Sequence, residues 1–325
     1  MKDTYHHGSL SRLRGSFKRM RNLGLIALIA VLWVALSILS PFFLRTSNIM
    51  VLLRQTATTM VCGVGMTFVI IAGGTDLSVG SVAALSGMVT GIAVNNWGLS
   101  FFPAFLCGIA VGILFGTFNG ILISYFKLQP MVCTLGSMSM ARGITLISTS
   151  GRSLFVLNPT MNKIGNAGLW QIPWPVVIAF AVFLIGWIIL SFTRFGRNVY
   201  AIGGNEEAAR LSGVKTNLNK TIIYMISGVC AALVGILYVC TLGASEPTVG
   251  QGLELDAIAV TAIGGTSLLG GMGSVVGTIF GAILIGTIKN GLTILNIVSY
   301  YQQLIIGAVI IIAVLLEQVK KHKNK

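Results

Sequence analysis

A chain of 325 residues with only 9% charged and 54% hydrophobic residues, and a mean hydropathy of +0.88, cannot cover itself with a water-soluble surface, since soluble domains carry about 25% charged residues. The formal net charge of +14 would suit a nucleic-acid binder, but the basic residues cluster beside apolar runs, as the positive-inside rule predicts, and no nucleic-acid motif accompanies them. The five cysteines, Cys62, Cys107, Cys133, Cys230 and Cys240, include no CxxC pair; they read as small buried hydrophobes without a disulfide framework or zinc site.

In chain order, residues 1–22 form a basic tail with Lys2, Arg12, Arg14, Lys18, Arg19 and Arg21, and His6 and His7 read as part of it. The apolar run Leu23–Leu39 has no small-residue cleavage site behind it, so it reads as an uncleaved first span. Ten spans are expected, at 23–40, 50–72, 78–94, 103–126, 130–148, 174–192, 220–242, 254–269, 274–290 and 301–317. Several reach the ~20 residues that cross a bilayer core. Runs of this length without two-residue alternation select helices, which pair their own backbone groups in lipid, over a barrel. Threading from a cytoplasmic N-terminus puts Lys127, the loop 193–219 (Arg194, Arg197, Arg210, Lys215, Lys220) and the basic tail 318–325 on the cytoplasmic side. The expected fold is an all-α polytopic membrane protein, with a membrane domain over 23–317 and both termini cytoplasmic.

Within the spans, Gly108, Gly112, Gly116 and Gly120 form a small-xxx-small ladder suited to close helix packing in lipid. The octet Gly73–Gly80 echoes Gly264–Gly271, and each interrupts two apolar runs, as in transporters built from repeats with broken helices. Whether the repeat is parallel or inverted stays open. Ionisable or polar groups at span depth are costly and face protein or a water path. Asp76 at the first octet, Asn119 in the fourth span, and Glu254 and Asp256 opening the eighth are therefore the candidate pathway residues. Asp76 could equally be a turn carboxylate, Asn119 an interhelical hydrogen-bond residue, and Glu254 and Asp256 solvated. Arg142 can snorkel or bind a backbone carbonyl. Two outer segments, 149–173 and 245–253, are candidate docking surfaces, the first being open also to a re-entrant or surface helix that caps the pore.

The chain lacks a GxxxxGK[ST] loop and an HExxH motif, and its histidines, His6, His7 and His322, all lie in the tails. It therefore has no ATP cradle of its own and no Ser–His–Asp site, and no cofactor or metal is expected. One loop segment is built as a complete short helix, 204–213: Asn205 caps it, Glu206 and Glu207 complement its positive end, Arg210 sits four residues after Glu206, and Gly213 supplies the left-handed exit.

The run Glu207–Gly213 matches the EAAxxxG pattern of ABC-importer permeases. With GGTDLSVGS (73–81), RFGRNVYAIGGNEEAARLSGV (194–214), ELDAIA (254–259), GGTSLLGG (264–271) and SYYQQLIIGAVIIIAV (299–314), the chain resembles the ribose-type sugar permease family from about residue 20 to 317. The resemblance implies a vitamin-B12-transporter-like (type II) architecture in the bacterial inner membrane. It also implies a second permease copy, cytoplasmic ATPase subunits that hydrolyse the ATP, and an external sugar-binding protein. Gly204, Asn205, Glu206, Glu207, Ala208, Ala209, Arg210, Leu211 and Gly213 would then be the coupling helix, and ribose the expected cargo. An ion-coupled secondary transporter or a channel would need no such helix.

Overall fold

A computed structural model describes residues 6–170, 172–298, 300–309, 311 and 315, with burial defined from residue 23 onward; the expected tail 318–325 and part of the last span fall outside them. Most of the described residues are helical. Among the described residues, six helices are long and apolar enough to cross a membrane: α2 (Thr46–Ile71), α4 (Phe101–Ser124), α5 (Pro130–Thr149), α7 (Trp174–Phe192), α10 (Thr216–Leu242) and α12 (Val275–Ile294). Helix α1 (His6–Leu39) starts inside the basic stretch that the sequence suggested as a tail, and its apolar part is Leu23–Leu39. Helix α3 (Val79–Asn95) has 17 residues, and a further helical stretch covers 300–309.

The core lies along α10, which packs on α4, α3 and α2. The glycine ladder is the seam with α4. A β-carbon on Gly112 would strike the Gly228 carbonyl, one on Gly116 would lie 2.5 Å from the Tyr224 carbonyl oxygen, and one on Gly120 would lie 2.6 Å from Cα of Thr221. Gly228 returns the contact against Gly112. Backbone-on-backbone approach of this kind is how helices gain dispersion contact where lipid removes the hydrophobic incentive. Helices α2 and α10 are the best covered spans, whereas α4, α5 and α7 leave most of their surface free.

Both glycine octets end a helix in the same way. Gly73 (φ +81°) donates to Ile70 O and Gly74 to Val69 O, each at 2.9 Å. Gly265 (φ +80°) donates to Ala262 O at 2.8 Å and Thr266 to Thr261 O at 2.9 Å. This is the paired-bond helix stop with a left-handed residue that glycine favours. The geometry aligns Gly73 with Gly265, one place from the alignment by residue identity that sets Gly73 on Gly264.

The expected eighth span, 254–269, is corrected. Only α11 (Leu253–Ile263) forms there, and its 11 residues rise about 16 Å, half a bilayer core. In place of the missing half stands non-helical chain, a short strand followed by turns over 247–252. After α10, β4 (Ala244–Ser245) pairs antiparallel with β1 (Leu154–Phe155), and Ser245 Oγ donates to Gly87 O at 3.0 Å. The chain then runs down α3 until the Gly250 carbonyl abuts Gly80. Seven residues of α3 separate those contacts, about 10 Å at helical rise. Irregular backbone at such depth survives only when protein satisfies it, and Arg142 of α5 does so. Its Nη1 donates to the carbonyls of Pro247 and Val249, so of its two expected roles the carbonyl partner is the one observed.

The other outer segment meets this one. Besides the β1–β4 pair, α6 (Pro159–Asn166) packs on α10, with Gly165 against the Cys240 carbonyl, and Ser153 Oγ donates to Glu246 at 2.6 Å. A second small hairpin joins β2 (Gly168–Leu169) to β3 (Ile172–Pro173). The two candidate docking segments are thus one surface. All five cysteines are free thiols and four are buried.

Candidate functional site

The loop between α7 and α10 folds as two helices, α8 (Arg194–Gly204) and α9 (Glu206–Leu211). Thr193 caps α8 by accepting from Gly196 N. Gly204 closes α8 rather than opening the next helix, so the expected helix 204–213 shortens to six residues plus caps. The reason is local: Asn205 is fully extended (φ −162°, ψ 107°), and its side chain accepts from Ala208 N at 2.9 Å, which starts a new helix. Ser212 ends it, and Gly213 (φ +85°) makes the left-handed turn.

The charge pairing also differs from expectation. Arg210 grips Glu207 with two donors, at 2.6 and 3.1 Å, instead of Glu206. Glu206 turns the other way and accepts from Lys220 of α10 at 2.9 Å, with Lys127 of the α4–α5 turn at 3.5 Å. Burial opposes ionisation of Glu206, but the Lys220 and Lys127 ammonium groups outweigh it and hold its carboxyl below the usual 4.5. Hydrogen bonds from Arg210, helped by its charge, lower the exposed Glu207 carboxyl, and Glu207 raises Arg210 in return. Helix α9 therefore has two faces. Ala209 and Glu206 hold it to the protein, while Glu207, Ala208, Arg210 and Leu211 (76% exposed) face outward. A cleft of about 870 Å³ opens beside it, lined by Tyr125, Lys127, Glu207, Arg210 and Lys215.

In the interior, Asp76 and Asn119 come together. Asp76 is 1% exposed: it is a carboxylate in the turn before α3, and the turn is enclosed by protein. One carboxylate oxygen accepts from Ser78 N (3.0 Å) and Ser78 Oγ (2.6 Å), the other from Ser227 Oγ of α10 (2.7 Å). Asn119 donates to Ser78 Oγ at 3.0 Å, the interhelical bond expected of it. Three donors compensate the burial of a carboxylate that has no cation partner among the described residues. Glu254 and Asp256 do not join this cluster. Asp256 is buried and ion-paired to Lys289 of α12, so the solvated reading fails for it because α11 begins inside the protein. Glu254 is half-buried; its Oε1 accepts from Gly252 N at 3.2 Å and its Oε2 stands against Gly80.

Residues 48–314 match the family described as branched-chain amino acid transport system, permease component. The chain belongs to this permease family. It is 43% identical to the ribose import permease protein of Bacillus subtilis over 304 residues, covering 93% of this chain and 94% of the relative. Against the ribose import permease protein of Escherichia coli (strain K12) it is 41% identical over 310 residues, 93% and 95% of the two chains. The D-allose transport system permease protein of the same strain is 39% identical over 296 residues, 91% of each. No solved structure matched.

In the permease, the sequence reading missed the residues that act at a distance. Lys127, Ser78, Ser227, Lys220 and Lys289 bind candidate residues from other elements of the fold, and residue identity alone carries no signal for such partners. Gly203 did leave one: the GG dipeptide occurs at 73–74, 203–204, 264–265 and 270–271, and three of these four meet in space, as described below.

Proposed function

We propose that this permease is the membrane-spanning subunit of a bacterial ATP-binding-cassette sugar importer, with ribose as cargo. The observation that carries the proposal is α9, whose outer face offers Glu207, Arg210 and Leu211 while Glu206 braces its inner face to two other elements. A capped helix braced on one face and exposed on the other suits contact with a moving partner, and the chain has no nucleotide motif of its own. ATP would be hydrolysed by a partner ATPase seated on α9, and the permease needs no cofactor. The relatives are named for import of ribose and transport of D-allose, which supports a monosaccharide cargo.

The assembly we infer is a homodimer of type II, vitamin-B12-transporter-like permeases in the inner membrane. Each copy contributes ten membrane-inserted segments, with α11 as the half-length one and both termini cytoplasmic. That orientation puts α8, α9 and the glycine stops on the ATPase side. The joined segments of β1, β4 and α6 then face the sugar-binding protein. Among the pathway candidates, Glu254 is the half-exposed carboxylate and the one suited to face a water-filled path; Asp76, Asn119 and Asp256 are enclosed and hold the frame.

Reconstitution in vesicles with the partner ATPase and binding protein tests the reading. ATP-dependent uptake of ribose, chosen from a panel of pentoses and hexoses, is expected. Uptake driven by an ion gradient without the ATPase would overturn it in favour of a secondary transporter.

A further inference from the structure

Glycines 203 and 204 both stand against Gly271, but only Gly203 has no room for a side chain. A β-carbon on Gly204 meets nothing within 4 Å. One on Gly203 would overlap the Ile71 carbonyl and lie 2.6 Å from the Gly271 nitrogen. That nitrogen donates to Ile71 O at 2.8 Å. On the far side, a β-carbon on Gly270 would lie 2.9 Å from the Gly203 oxygen and 3.1 Å from Cα of Gly73. The last turn of α8 therefore sits wedged where the end of α2, and the turn joining α11 to α12, hydrogen-bond to each other.

Two further contacts tie α8 to the same places. Tyr200 donates its hydroxyl to Gly273 O at 2.9 Å, and Phe195 stacks on Phe68 of α2 with ring centroids 6.4 Å apart. Two of the linked elements carry the left-handed glycine stops at Gly73 and Gly265. Beyond the first stop stands the Asp76 cluster, which reaches α10 through Ser227. Close-packed backbones transmit displacement because no side chain intervenes to absorb it, and the chain itself joins α8 to α9 with only Asn205 between.

We infer that Gly203 is a positioning residue for transport: it is the joint through which α8 moves both glycine stops at once when a partner displaces α9. This rests on the proposed ATPase partner at α9. Helix α9 would then be the handle, and the α8 terminus the point where one input divides between α2–α3 and α11–α12.

The test is Gly203→Ala in vesicles with the ATPase and the binding protein, measuring sugar moved and ATP hydrolysed together. Gly24→Ala, whose added methyl meets nothing, is the control. Tyr200→Phe removes a single hydrogen bond and serves should the alanine variant fail to assemble. The expected result is that the variant copurifies with the ATPase and hydrolyses ATP, while sugar moved per ATP falls about fivefold or more, the range of a coupling free energy between sites. A merely structural role would lower both rates in proportion. An unchanged ratio in Gly203→Ala, or in Tyr200→Phe should that variant replace it, overturns the inference. Absence of ATP-driven uptake in the wild-type chain would strike the functional reading instead.

Discussion

The α9 loop and the re-entrant segment 245–252 solve the same problem in opposite ways. Both carry polar groups, of backbone and of side chain, that need partners. Around α9 those partners lie within a few residues: Asn205 for Ala208, Glu207 for Arg210, Gly213 for the exit. The re-entrant chain draws on the rest of the molecule. Arg142 comes from more than a hundred residues away, Gly87 accepts from Ser245, and Gly80 leaves room for Gly250. A segment that meets water can let water satisfy what its own side chains do not. At membrane depth any unpaired carbonyl costs its full desolvation penalty, so the fold must bring a donor. Changes at the re-entrant segment should therefore damage the fold, and changes at α9 should spare it.

Arg142→Met should show the largest effect. It strips the donor from two carbonyls, at about 1–3 kcal/mol for each left unsatisfied. Melting in detergent should drop by several degrees, and transport should be lost even where protein survives. Arg142→Lys, which keeps a charge but not the fork, should recover only part of the stability. An unchanged melting temperature in the Met variant would mean that the segment holds its position without the arginine. Asp256→Ala comes next. It leaves Lys289 unpaired, at about 2–4 kcal/mol for a pair that is not wholly enclosed. The double variant Asp256→Ala/Lys289→Met should regain most of that loss, and failure of the second change to restore stability would assign Asp256 a role outside the pair.

The same contrast explains what could be read from the sequence. The membrane-spanning helices are legible because lipid demands long apolar runs, and the cap at Asn205 is legible because its partners are three residues away. The span 254–269 misled because Leu253–Leu269 is apolar enough to cross on composition, while the chain before it had already descended along α3. The burial of Asp256 was hidden for the same reason, and the sequence left it open between a water path and solvent: its position depends on the path of residues 245–252, which is set by Gly80 and Arg142. Glu206 and Arg210 stand four apart, a good helical spacing, yet Lys220 and Lys127 outcompete Arg210 for the carboxylate. The site was visible where its chemistry is local and hidden where other helices complete it.

Glu206 lies between the two regimes, since α9 carries it but α10 and the α4–α5 turn hold it. Its carboxyl is depressed in the folded protein, so the stabilisation it gives is present above its ordinary value near 4.5 and lost as pH falls below that through the folded value. In the wild type, the anchoring of α9, followed by hydrogen exchange of residues 206–211, should weaken across that acidic window. Glu206→Gln should exchange fast already at neutral pH and lose the dependence. Lys220→Glu should weaken α9 more than Lys127→Glu, because Lys220 is nearer and less exposed. Equal exchange in wild type and Glu206→Gln at neutral pH would remove Glu206 as a brace.

The smallest effect on the fold should accompany a large effect on transport. Glu207 is exposed and its pair with Arg210 is a surface one, of the kind that contributes little to stability. Glu207→Lys should leave insertion and melting unchanged and break ATP-driven uptake, because it reverses a charge on the face offered to the ATPase. Copurification with that ATPase should be lost at the same time. If uptake is normal, α9 does not dock there, and the exposure of Glu207, Arg210 and Leu211 needs another partner. If melting falls together with uptake, Glu207 belongs with the internally held residues, and the division of α9 into a braced face and an offered face is wrong.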